Sequence, residues 1–446
     1  MLFGFLALFL MVFVLVACGD DNDTTDAEET PAPETTETNE PADTGGDTVR
    51  IVIPLGPTAE QYQMALDNGG DYGIFDRTFR NNLMDRFAEL GHEVEIVDWG
   101  WAEALDQQQR SMIAAGNHPD MVIGEVFMPT YANEDILEPL PQDIVDMVNP
   151  SFLINNPAGE PVAVAVRSSV FMLFYNYDLL AEAGFDTPPT TWEEWQTMSD
   201  AITAAGNGEF FGGGVPAFPH AGGALRATPF FRQMGTDFLV DGELAVESEG
   251  VMATLEFIRE MSSNFPLGIS TLDDEGPMWN AFEEDQTIAF AVNGTWQVGG
   301  LERNGVNWGV APLPIPAGGQ EGNTLVGAVY AAVPRGAANQ EASFEAIRVA
   351  LSYDVSSMLL REGGPSPRQD IIDNEELWMG QPGLEQATIA VSSGEVSGLA
   401  SFPTNDGQVW EVINQQIISR VVIDTNTPIS TIVADAAAQI RSLMGE

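Results

Sequence analysis

The chain has no lysine. All 16 of its basic residues are arginine, set against 67 acidic residues in 446. Phosphate loops of the Walker type and pyridoxal enzymes each require a lysine, so both are excluded. A net charge of −51 also argues against nucleic acid as a partner, because neutralising phosphates needs a basic surface. An acid excess without lysine fits a solvated surface in a saline medium, where ions screen the repulsion. General acidic drift in a secreted protein is the plainer alternative. Cysteine is reduced to Cys18, which leaves the rest of the chain without disulfide, thiol nucleophile or thiolate-bound metal. The three histidines, His92, His118 and His220, are far apart in sequence and form no HExxH pair, so a zinc site has no support. No cofactor, no metal and no catalytic residue is expected, and GxSxG is missing as well.

What is present suffices for a large core. The residues are 44% hydrophobic, and the length suits two lobes. Residues 1–17 are almost wholly apolar, short for a bilayer span and suited to a signal peptide. They lead into Leu15-Val16-Ala17-Cys18-Gly19, which looks like a lipobox in which Cys18 is acylated. No basic residue precedes the apolar run. The true start then lies upstream, or the segment stays as an uncleaved anchor. Residues 20–47 hold eleven acids and no base, a composition that predicts a disordered, self-repelling tether reaching about 30 Å or more.

From residue 49 the pattern alternates. Strands are predicted at 49–53, 94–98 and 120–123, with helices at 79–90 and 102–115 between them. This β-α-β-α-β order predicts a mainly parallel sheet with helices on both faces, whose ligands sit at the carboxyl ends of the strands. Further on, 162–166 and 170–175 are expected to be extended. Thr191 and Glu194 form a capping box for a helix reaching about 205, and 206–223 reads as glycine-rich loop. A helix at 251–262, strands at 288–292 and 325–333, and helices at 341–352, 408–421 and 429–444 complete the order. Trp192 and Trp195 at i and i+3 indicate core. The runs 273–275 and 283–285 look like solvated surface.

These segments in this order resemble the extracellular solute-binding proteins of ABC importers, the group that includes maltose-binding protein. The likeness rests on Ala114-Ala115-Gly116-Asn117-His118-Pro119-Asp120-Met121-Val122 and on Asp135-Ile136-Leu137-Glu138-Pro139-Leu140. It also rests on Phe174-Tyr175-Asn176-Tyr177-Asp178-Leu179-Leu180 and on Gly184-Phe185 with Pro188-Pro189-Thr190-Thr191-Trp192-Glu193-Glu194. Asn293-Gly294-Thr295-Trp296, Ala311-Pro312-Leu313-Pro314 and Val333-Pro334-Arg335-Gly336-Ala337 complete it. Tyr177 departs from the lysine usual in the family. The resemblance implies a two-lobed periplasmic-binding-protein-like α/β fold, with hinge crossings near 164–168, 323–327 and 368–372. Lobe one would be 48–166 plus 326–370, and lobe two 167–325 plus 371–446. It further implies a monomer that captures a small solute, expected to be a sugar, by lobe closure, delivers it to ABC-importer membrane subunits, and meets the membrane only through its lipid.

A sugar site needs aromatic faces and fixed polar groups. At the positions the resemblance indicates, Trp296 is the candidate stacking platform, Glu125 and Phe127 follow the 120–123 strand, and Ser169 with Arg167 lies near the hinge. Trp99 and Trp101 follow the strand ending at Asp98, one expected to reach the cleft and the other to pack. Asn293 ends a strand, and Gly327 would let solute approach backbone closely. His220 and Arg226 are expected on loop, Arg226 either holding an acidic solute or forming an ion pair. Two other readings stay open: a cell-surface carbohydrate-active enzyme with two carboxylates across a cleft, and a sensor lipoprotein with the same body.

Overall fold

The computed structural model describes residues 49–445, apart from 68–72, 101, 126, 274, 321–323, 382–383, 394–395, 400–401 and 403–405. The signal peptide, Cys18 and the tether lie outside the described residues, and so does Trp101.

The chain begins with β1 (Arg50–Ile53), the helix Ile74–Glu89, and β2 (Glu93–Ile96), which pairs in parallel with β1. That helix starts five residues earlier than its apolar pattern suggested. Phe75 extends the i+4 series Phe79, Leu83, Phe87, and all four are buried. After the helix Ala102–Ala114 come β3 (Val122–Gly124), β4 (Leu153–Asn155) and the sixteen-residue β5 (Pro161–Asn176). The Thr191 capping box forms as expected on the helix Trp192–Gly206. Next are β6 (Phe211–Gly214), the helix Ala221–Gln233, a hairpin of β7 (Leu239–Val240) and β8 (Glu243–Leu244), and the helices Glu249–Met261 and Gly276–Glu283. Then follow β9 (Ile288–Gly294), β10 (Trp308–Ala311), β11 (Thr324–Ala332) and β12 (Val396–Ser397), with the helix Ile429–Met444 near the end.

The α/β class and the two-lobed body stand, but the expected mainly parallel sheet is corrected. Among the described strands, parallel pairing joins β1 with β2, β6 with β9, and β11 with β12. The pairings of β5 with β4, β9, β10 and β11, and of β3 with β11, are antiparallel. The cause is the crossing itself. β5 carries the chain out of one core into the other, and β11 brings it back, so the two must run in opposite directions.

Residues 162–175 do not break into two segments at the crossing. They form one strand with a bulge: Val329 pairs with Arg167 and Tyr330 with Ala165, leaving Val166 unopposed. A bulge reverses the alternation of side chains beyond it. Before the bulge, Val164 and Val166 enter a core built with Ile51, Phe79, Leu83 and Ile347. Beyond it, Phe171, Leu173 and Tyr175 enter a second core with Trp195, Phe230, Phe290 and Ile417. Val170, Met172 and Phe174 face the back of the sheet, where Phe152, Leu301, Ile372 and Val391 cover it. The 206–223 stretch is not all loop either: β6 lies within it, packed so close that a Cβ at Gly212 would strike the Ser199 backbone at 2.3 Å.

Arginine pairs with acid throughout the surface, as in Arg110 with Glu134 at 2.9 Å and Arg348 with Asp143 at 2.7 Å. Exposed pairs contribute only about 0–1 kcal/mol each, and sixteen cations cannot offset 67 anions. Self-repulsion therefore remains, and salt should relieve it. Raising NaCl from 0.05 to 2 M should lift the melting temperature by about 5 °C or more. A scanning-fluorimetry series reads this directly, and a flat or falling curve would contradict the charge argument.

Candidate solute cleft

The bulge turns Arg167, Ser169 and Phe171 toward the seam between the two cores. Arg167 rests its guanidinium 4.8 Å above the Phe75 ring of the first core, and Phe171 is buried in the second. Ser169, between them, donates to the Gly327 carbonyl of β11 at 3.0 Å. A Cβ at Gly327 would come within 2.9 Å of the Ser169 Oγ and 3.4 Å of the Trp296 ring. Glycine thus keeps this floor low, as the sequence suggested.

Trp296 stands over the floor. Its 3-10 turn, Thr295–Gln297, follows directly on β9. The indole packs edge-on against Phe171, with centroids 5.3 Å apart at 85°, and the residue stays 41% exposed. An aromatic anchored at its edge with a free face can stack on an apolar ligand surface. Gly294 makes room for it, since a Cβ there would lie 1.7 Å from the ring.

Beneath the platform lies a buried arginine. Arg226 is on the helix Ala221–Gln233, not on loop, and is 1% exposed. The glycines at 222 and 223 hid this helix from a sequence reading. His220 caps it by accepting from the Gly222 N–H at 3.1 Å. Arg226 donates to the Val292 carbonyl at 3.2 Å, the Gly222 carbonyl at 3.0 Å and the Asn293 Oδ1 at 2.8 Å. Its Nη2 also lies 2.7 Å from the Glu275 carboxylate, off the direction of a hydrogen bond, so that contact is chiefly coulombic. Glu275, read in sequence as a solvated surface acid, keeps a 43% exposed side chain and also contacts the buried guanidinium. Asn293 accepts from both Arg226 and the Gly294 N–H. The Asn293 Oδ1 and the Arg226 guanidinium are engaged inside the protein, where they brace the strand end that presents Trp296.

From the first core, Glu125 follows β3 and reaches the same seam. Protein surrounds it on nearly every side, although part of its surface remains reachable by solvent, as for a group lining a narrow cleft. Burial pushes its pKa up to about 7, the Glu275 carboxylate adds to the rise, and Arg167 opposes it. Arg167 is itself held by Asp76 at 3.2 Å and Glu362 at 3.3 Å. Glu362 also accepts from the Phe75 N–H at 3.0 Å, and burial raises its pKa. A second contact joins the two cores' sides: Thr130 donates to Asp406 at 3.1 Å, and Asp406 also accepts from the Phe402 N–H.

The remaining candidates sit apart. Phe127 packs over Gly124, whose absent Cβ would meet its ring at 2.3 Å, and against Tyr131 at 5.4 Å. Trp99 borders an outer groove of about 870 Å³ beside β2 and the helix Ile74–Glu89, and no floor residue lines that groove. Sequence reasoning missed Asp76, Glu362, Thr130 and Asp406. Each looks like an ordinary polar residue until the fold brings it to the seam.

A floor shared by two cores, with a partly exposed indole over it, has the form of a two-lobed binding protein. A family model for bacterial extracellular solute-binding proteins matches residues 72–355, and the chain belongs to that family. A probable ABC transporter-binding protein from Deinococcus radiodurans is 26% identical over 240 residues, half of this chain and 56% of that protein's length. Among solved structures, an ABC transporter solute-binding protein from Thermotoga lettingae bound with α-D-tagatose has a TM-score of 0.71 at 21% identity, covering 90% of this chain and 100% of its own. Maltose-bound MalE3 of T. maritima scores 0.72 at 20% identity, covering 89% and 100%. An ABC substrate-binding protein from Listeria monocytogenes in complex with cycloalternan scores 0.70 at 16%, covering 90% and 100%. At these identities the shared property is the fold.

Two variants probe the site. Gly294→Ala should displace the indole, cost about 1–3 kcal/mol and shift tryptophan emission; an unchanged spectrum and stability would refute the packing. Glu125 has a folded pKa above its unfolded value near 4.5. Its ionised form therefore costs stability that is retained at pH 4.5 and lost as pH rises through 7. Glu125→Gln should be more stable than the native protein at pH 8, by up to about 3 kcal/mol, with the gain vanishing near pH 4.5. Denaturant unfolding at both pH values, in matched salt, gives the answer.

Proposed function

We propose that this chain is an extracytoplasmic solute-binding lipoprotein that captures a sugar or short oligosaccharide by lobe closure and delivers it to an ABC importer. The observation that carries the reading is Trp296, half-exposed above a floor cleared by Gly327 and edged by Phe171. Sugars present apolar ring faces and a rim of hydroxyls, and such a platform flanked by Ser169 and Glu125 complements both. Tagatose, maltose and cycloalternan in structurally similar proteins support the solute class.

The remaining parts of this reading follow from the same body. The lobes are taken as 48–166 plus 326–370 and 167–325 plus 371–446, hinged where β5 and β11 cross, in a monomer. Closure would be favoured only by a solute touching both sides. Among the described residues no helix is long and apolar enough to cross a membrane, and attachment is assigned to a lipid on Cys18. Importer membrane subunits are the partner, and the acidic tether raises the protein's effective concentration beside them. Neither nucleic acid nor a cofactor has a role. Catalysis is not part of the reading.

The full chain, screened by thermal shift against mono- and oligosaccharides in 1 M NaCl, should show a ligand that raises the melting point by mass action. Trp296→Ala should weaken that ligand at least about tenfold in calorimetry, in keeping with a stacking loss of ~1.4 kcal/mol or more. Conversion of the ligand to product by the pure protein would replace the carrier reading with an enzymatic one.

A further inference from the structure

One hydrogen bond joins side chains whose helices pack into different cores. Thr130 lies in the helix Met128–Asn133, which buries Met128, Tyr131 and Ala132 against Val122, Val162 and Ala332 on the first lobe's side. Asp406 opens the helix Asp406–Val412, whose Val409 and Trp410 belong to the core of Trp195, Phe230 and Phe290. Thr130 Oγ1 donates to Asp406 Oδ2 at 3.1 Å, across 276 residues of sequence. The strands bring both groups to the cleft. The helix of Thr130 follows the carboxyl end of β3, as Glu125 does. β12 runs parallel to β11 at Thr324 and Leu325, so the chain leaving β12 heads the way Val326 and Gly327 run, toward the floor.

Asp406 is a carboxylate with only 5% of its surface exposed. Its Oδ1 accepts from the Phe402 N–H at 2.6 Å, and the Phe402 ring packs on Trp410 with centroids 5.6 Å apart. The second core therefore fixes the acceptor and leaves Oδ2 for the first. Burial pushes the Asp406 pKa up, while the Phe402 and Thr130 donors and the Arg110 charge draw it back. A carboxylate so enclosed loses much when a donor is withdrawn, because nothing replaces it. Once the lobes part, water solvates both groups. Loss of the Thr130 hydroxyl therefore penalises the closed arrangement and leaves the open one nearly untouched.

We propose that the Thr130–Asp406 hydrogen bond is a latch beside the cleft, holding the two lobes together and parting when they open. The inference rests on the lobe-closure reading above and adds a contact that the protein itself supplies. A solute must still touch both sides to shift the balance further. The latch sets where that balance stands before solute arrives, and it slows both entry and escape.

The test measures lobe separation without any solute. Spin labels on Ser111→Cys, in the helix Ala102–Ala114, and Glu411→Cys, in the helix Asp406–Val412, occupy exposed positions on the two sides. Pulsed dipolar EPR on the full chain carrying Cys18→Ser reads the distance between them. With Thr130 and Asp406 in place, a short-distance population should stand beside a longer one. Thr130→Val keeps the shape and removes the donor, and should lower the ratio of short to long about tenfold. Thr130→Ala should do the same, and Thr130→Ser, which keeps the hydroxyl, should restore the ratio. Two populations whose ratio ignores Thr130→Val and Thr130→Ala, or a long population alone before substitution, overturns the latch and leaves the carrier reading intact. A single short distance that no variant moves identifies a rigid body, and overturns lobe closure together with the latch.

Discussion

The structure depends on one long strand belonging to two cores. β5 anchors Val164 and Val166 in the first and Phe171, Leu173 and Tyr175 in the second, and each large side chain so buried contributes roughly 1.5–3 kcal/mol. A one-residue bulge at Val166 makes this possible. Without it the alternation would continue unbroken, and Arg167, Ser169 and Phe171 would point to the apolar back of the sheet. That would bury a guanidinium against Phe152 and Ile372, a placement far costlier than any single core contact gains. The bulge therefore decides which side chains of β5 face the seam, and β11 returning antiparallel beside it brings Gly327 opposite Ser169.

The buried Arg226 is the second constraint. Removing a fully buried guanidinium from water is expensive, and coulombic attraction to Glu275 alone seldom repays it. Here three further acceptors share the charge, and the Phe171 and Phe218 rings lie 5.8 and 5.5 Å away. The arrangement ties helix Ala221–Gln233, β9 and the start of helix Gly276–Glu283 into one support. Trp296 projects from that support on a turn whose preceding glycine leaves no slack for another residue. A ring held in this way is pre-organised, so a ligand that stacked on it would not meet the cost of ordering it.

Glu125 contrasts with the paired residues around it. Those residues are matched to one another and favour folding, whereas burial and the Glu275 carboxylate both work against an ionised Glu125. The same logic separates Glu125 from the many surface acids, which water solvates at little cost.

Composition and periodicity alone established much of this protein. The absent lysine and lone cysteine removed whole reaction classes. The i+4 apolar series, the Thr191–Glu194 capping box and the strand-ending Asn293-Gly294 placed most elements within a few residues. Such features are local, determined by neighbours along the chain. Tertiary structure alone decided the rest: that 161–176 is a single bulged strand, that a glycine-opened segment is a helix carrying a buried arginine, and that Glu275 pairs with it. These outcomes depend on which groups lose water together and which charges meet there. Residues distant in sequence settle that jointly, and no local pattern in the chain records it.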